Sequence, residues 1–76
     1  MLETYLEQIK NAKTKPDLQD INYRAFCDNS ITAKQDALLT ACCVWKENQQ
    51  KGATENQLDI CARVLKIPKK YINKIK

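Results

Sequence analysis

Six cations stand close together near the C-terminal end of the sequence, at Arg63, Lys66, Lys69, Lys70, Lys74 and Lys76, with no acidic residue among them. Residues 1–61 carry seven basic and nine acidic side chains, a balance of −2, whereas residues 62–76 carry +6. Such a one-sided distribution is the electrostatic footprint of a surface that holds phosphates. Lysines near a helix C-terminus also complement the helix dipole, but six charges with no interspersed acid exceed what that needs. Other chemistry finds little support. With no histidine, the commonest general base and metal ligand is missing. Cys27, Cys42, Cys43 and Cys61 show no CxxC spacing, and adjacent Cys42 and Cys43 fall on different faces of a helix. They read as thiols filling core space. No glycine-rich phosphate loop and no Ser/His/Asp set occurs, so neither enzymatic activity, nor a metal, nor a cofactor is expected.

The apolar pattern around these cations defines the elements that carry them. Leu58, Cys61, Ala62 and Leu65 follow the three-and-four spacing of a helix with one buried face. That period breaks at Lys66-Ile67-Pro68 and resumes from Tyr71 in a new phase. Pro68 accounts for the break, because it disfavours the α conformation in the residue before it yet suits the first turn of a new helix. Two short helices therefore meet here at a tight turn.

From Leu58 to Lys76 the residues resemble the helix-turn-helix of phage-repressor-type DNA-binding regulators. Ala62 matches the small residue where the two helices cross. Leu65, Ile67, Ile72 and Ile75 match the motif's apolar positions. One position departs from it: the turn usually carries glycine in a left-handed conformation, and here it is Lys66, which costs about 1–2 kcal/mol in that conformation. The resemblance implies that Pro68, Lys69, Lys70, Asn73 and Lys74 face a DNA groove. Lys69, Lys70 and Lys76 would hold phosphates, with Lys66 and Lys74 in the same basic surface. Tyr71 could stack or touch a phosphate, although a half-buried helix tyrosine is the commoner case. Asn73 is the best candidate for reading a base, since a carboxamide pairs well with adenine.

The remaining sequence reads as three further helices. The first runs from about Glu3 to Ala12, with Leu2, Tyr5, Leu6 and Ile9 on one face. Thr14 caps the second, which runs to about Cys27 with Pro16 in its first turn and Asp17 at the dipole's positive end. Leu18, Ile21, Ala25 and Phe26 are expected inward, with Tyr23 and Arg24 nearer the rim. Thr32 and Gln35 form a capping box that opens the third helix, from about Ala33 to Gln49. This is the most apolar stretch, with Ala37, Leu38, Leu39, Ala41, Cys42, Cys43, Val44 and Trp45 covering most of its circumference, and it is expected to be buried on several sides. Gly52 caps its C-terminal end, and Thr54 with Gln57 repeats the capping box for a fourth helix ending near Leu65. The fifth runs from Pro68 to Lys76, about 12 Å long.

The expected fold is a single all-α domain of about five helices over residues 1–76, an N-terminal helical pair (1–30) followed by a tri-helical helix-turn-helix unit (31–76). One domain of this length buries only about 60% of its unfolded surface. The longest apolar run, Ala41 to Trp45, is far short of the ~20 residues of a membrane span. With no signal peptide apparent, a cytoplasmic protein with reduced thiols is expected. The implied function is that of a small phage- or plasmid-type transcription regulator on duplex DNA. A homodimer through Leu2, Tyr5, Leu6 and Ile9 would supply a second recognition helix. The alternative is a small helical protein–protein interaction module that sequesters or inhibits a host or phage protein, its basic end facing an acidic partner. Two features favour it: the fifth helix has no later element to brace it, and a minimal DNA-binding unit does not need the first two helices.

Overall fold

The computed structural model describes residues 2–76. Five helices follow in order: α1 (Leu2–Asn11), α2 (Lys15–Cys27), α3 (Ala33–Gln50), α4 (Glu55–Val64) and α5 (Lys69–Ile75), and no strand occurs among the described residues. The all-α reading holds, with each boundary within one or two residues of expectation. Three threonines set the helix starts. Thr14, Thr32 and Thr54 each accept from the backbone N–H three residues on, while Asp17, Gln35 and Gln57 reach back to the capping residue's own N–H. Each cap is worth about 1 kcal/mol, which matters in a domain of this size.

α3 is the central element, packed by α1, α2, α4 and α5. Its buried stripe is Leu39, Cys42, Cys43 and Lys46, with Trp45 turned toward α4; Cys42 and Cys43, expected on different faces, are 100° apart yet both fall within this one stripe. There the Trp45 indole N–H donates to the Leu58 carbonyl at 3.0 Å, so the tryptophan anchors α4. The stripe is narrower than the composition of α3 indicates, because Ala37 and Val44 lie on the opposite side and are exposed. On α2 the inward face is Leu18, Ile21 and Ala25. Phe26, expected inward, is instead 74% exposed, since it follows Ala25 by 100° of helix rotation and no element covers that side.

The first helix corrects two expectations. Leu6 and Ile9 are almost completely buried and Tyr5 nearly so, all inside one continuous core. The face formed by Leu2, Tyr5, Leu6 and Ile9 is therefore occupied within the chain and is not a dimer surface. What occupies it is α5 and α3, with α2 beside them. The last helix is thus braced by the first, and α1 has a structural role that the spacing of its residues did not disclose.

Candidate nucleic-acid interface

The turn between α4 and α5 is shaped by backbone hydrogen bonds. Lys66 N–H donates to the Arg63 carbonyl at 3.2 Å and Ile67 N–H to the Ala62 carbonyl at 2.9 Å. This pair of bonds is the Schellman pattern, in which the residue after the cap is left-handed. Lys66 occupies that position with φ 58, among the described residues the one non-glycine with positive φ. The α3 terminus repeats the pattern with Gly52 at φ 89, Gly52 N–H donating to Gln49 and Ala53 N–H to Asn48. Two helix ends thus share one geometry, one with the glycine it favours and one with a lysine. Ile67 then buries beside Ala62, and Pro68 sits just ahead of α5 with φ −58 and ψ 143 rather than inside its first turn.

At seven residues, α5 is far below the ~12–15 at which an isolated helix is even marginal in water. Tertiary contacts must hold it. Ile72 and Ile75 bury against the core. Below them lies Lys46, whose ammonium donates to the carbonyls of Ile75 at 2.8 Å and Lys76 at 3.3 Å. A cation there satisfies orphan carbonyls at the negative end of the helix. Burial, and secondarily the nearby Lys10 charge, pushes the Lys46 pKa down. Sequence reasoning missed this residue. Its signal was available, because Leu39, Cys42, Cys43 and Lys46 follow one helical face and only the last is charged.

With Ile72 and Ile75 inward, the rest of α5 forms an exposed arc. Lys69 and Asn73 line a groove of about 790 Å³ with Lys76, Lys66 and Arg63, whose floor includes Trp45 and Ile67. Helical spacing puts Lys70 and Lys74 on the other flank, with Asn73 between the two sets of lysines. The sequence-derived residues are therefore together, but not equivalent. Lys74 pairs with Glu3 of α1. Tyr71 is half-buried against the core, with the Lys70 ammonium 5.0 Å from its ring centroid, so it supports a lysine more than it offers a stacking face. Arg63 pairs with Asp59 at 2.9 Å one turn back. Lys66, Lys69, Lys70 and Lys76 are exposed and have no acidic partner among the described residues. Glu55 and Asp59 lie on the α4 wall of the groove. They oppose a phosphate deep in the groove and leave its α5 rim, at Lys69, Asn73 and Lys76, with Lys70 on the outer flank, as the surface favourable to a polyanion.

The described residues therefore form a five-helix, all-α protein whose last helix, with no acidic residue of its own, carries lysines on either side of a carboxamide. No family model, curated protein or solved structure matches the chain.

Proposed function

We propose that the chain is a small DNA-binding regulatory protein that contacts duplex DNA through α5 and the turn before it. The observation that carries this reading is the group of four exposed lysines without acidic partners among the described residues, Lys66, Lys69, Lys70 and Lys76, ranged about the exposed Asn73. Lysine is a point charge suited to phosphate, and phosphate contacts position a protein without reading sequence. A carboxamide is suited to the paired donor and acceptor of adenine in the major groove. Lys74 is tied to Glu3 and is a weaker contributor than its spacing implies, because a phosphate must compete with a carboxylate already in place.

Fluorescence anisotropy on labelled duplexes across a salt series tests this. Four phosphate contacts give a log-affinity versus log-salt slope of about −3.6 on any duplex. Lys69→Ala and Lys70→Ala should each reduce that magnitude by about 0.9 and weaken all sequences alike. Asn73→Ala should leave the slope and random-sequence affinity unchanged, and should cost about 1–3 kcal/mol on a selected site. Absence of duplex binding at low salt would refute the proposal.

A further inference from the structure

The large apolar side chains most exposed to solvent are Tyr23, Phe26, Val44, Ile60 and Val64. They come from three helices, yet the contacts between those helices bring them to one side of the molecule. α2 runs along α3, tied by the Thr40 hydroxyl to the Asn22 carboxamide at 2.9 Å and by Cys43 Sγ to the Leu18 carbonyl at 3.8 Å. Phe26 lies one turn beyond Asn22 and so flanks the outer surface of α3. On the other flank, Asn48 Nδ2 donates to the Val44 carbonyl at 3.1 Å and to Cys61 Sγ at 3.7 Å. That seats Cys61 of α4 beside Val44, and Ile60 and Val64 fall next to Cys61 on the solvent side. Between the two flanks the middle of α3 presents Ala37, Thr40 and Ala41, none of them charged, with Lys34 near the strip's start and the Glu47–Lys51 ion pair at its far end.

We infer that this α2–α3–α4 face is the surface on which a second copy of the chain docks. Area is the first argument. A standard interface buries about 800 Å² per partner, of which about 57% is apolar, or roughly 450 Å². Aromatic side chains of about 150–250 Å² each, exposed as Tyr23 and Phe26 are, supply more than half of that, and the three aliphatic residues bring the total to roughly 500 Å². Charge is the second. The chain carries +4 overall, and like-charged copies approach most easily across a face whose centre has no ionised group. A different partner selected by charge would find little here to complement. Shape is the third. Two ridges, Tyr23 with Phe26 and Ile60 with Val64, stand either side of a shallower strip on α3. A two-fold rotation can set one ridge of each copy over the other's strip, which is the self-complementarity an isologous dimer requires. α5 packs on α1 and α3 rather than on this face, so both basic arcs stay open in the dimer. The inference does not depend on DNA binding.

Sedimentation equilibrium on the full chain, without DNA, tests it. Between about 10 μM and 1 mM the wild type should pass from monomer to dimer. Phe26→Asp and Val64→Asp should each raise the dimer dissociation constant by about tenfold or more. Both side chains are about three-quarters exposed, so the helical circular dichroism and melting temperature of each variant should match the wild type and rule out misfolding. A chain that stays monomeric at about 1 mM overturns the inference and leaves the face to a different protein. A dimer that either substitution fails to weaken overturns it as well.

Discussion

Replacing Lys66 with glycine should stabilise the protein. Lys66 holds φ 58 and is exposed, so the residue contributes little by packing and its backbone is strained by its own Cβ. An L-residue with a side chain costs about 1–2 kcal/mol in that conformation relative to glycine. Against this, glycine adds about 0.4–1 kcal/mol of conformational entropy to the unfolded chain. The net gain expected is about 0.5–1 kcal/mol. In a domain of this length 1 kcal/mol moves the melting temperature by about 4–8 °C, so the shift is readily measured by circular dichroism at 222 nm, the usual helix band. Lys66→Ala separates the charge from the backbone, because alanine keeps the Cβ and removes the ammonium. It should melt close to the wild type, and the glycine variant should melt above both.

The α3 terminus gives the reverse experiment. Gly52 sits in the same hydrogen-bonded turn with φ 89, and a Cβ added there meets nothing within 4 Å. Gly52→Ala therefore isolates conformational strain without any steric clash, and should cost about 1 kcal/mol. The two substitutions should shift the melting temperature in opposite directions. If Lys66→Gly melts below Lys66→Ala, the turn is not left-handed in solution and the geometry assigned to α4 and α5 is wrong.

Three further outcomes follow from buried or hydrogen-bonded groups. Lys46→Met should keep most of the packing but remove the donors to Ile75 and Lys76, costing about 1–2 kcal/mol. Amide hydrogen exchange should quicken in α5 well before α2 or α3, and equal protection across the helices would count against the role given to Lys46. Asp28 accepts from the Tyr5 hydroxyl at 2.6 Å and from Ser30, which holds its pKa down at about 2 against an ordinary 3.8. Its contribution is therefore complete above the ordinary value and lost as pH falls toward about 2. Asp28→Asn should flatten the acid limb of a stability–pH curve, and an unchanged limb would show that other carboxylates dominate. Burial pushes the Cys42 and Cys43 thiols up to about 12 and about 11, while Cys27 is exposed. In the native protein iodoacetamide should label Cys27 first and spare Cys42 and Cys43 until unfolding, a pattern that peptide mass spectrometry reads directly.

The helix boundaries were legible because they rest on local chemistry. Thr14, Thr32 and Thr54 cap by bonds that reach three residues, and Gly52 and Pro68 act through their own backbone. The tight turn at Lys66-Ile67-Pro68 was also legible, since the apolar phase changes there, while its left-handed residue was what the resemblance to a helix-turn-helix implied. Contacts between distant segments were not. Leu6 and Ile9 looked the same whether they faced another copy or α5, because an amphipathic pattern reports that a face is covered and not by what. Phe26 misled for a related reason. Its hydrophobicity was read as burial, whereas its rotation from Ala25 points it to the side where the chain supplies no cover. For the basic surface, charge by position identified the right stretch but could not rank its members. The pairing of Lys74 with Glu3 joins residues 71 apart in sequence, and no local rule anticipates that.

The same long-range contacts bear on what the basic surface is for. A flexible lysine-rich segment would attract nucleic acid without a fold, because the counterion term needs charge and not order. Here a seven-residue helix too short to persist alone is kept folded by Ile72, Ile75, Lys46 and the whole of α1. Ordering it costs backbone entropy of about 1–2 kcal/mol per residue, and a buried ammonium is an expensive anchor. Phosphate attraction alone does not require that expense. Under the proposed function, fixing Asn73 between two sets of lysines does, since a carboxamide discriminates a base only when its orientation relative to the phosphate contacts is constant. Disrupting the brace should therefore separate the two properties. Leu6→Ala on α1, which leaves every lysine and Asn73 in place, should preserve salt-dependent binding to random duplexes while eroding any preference among sequences.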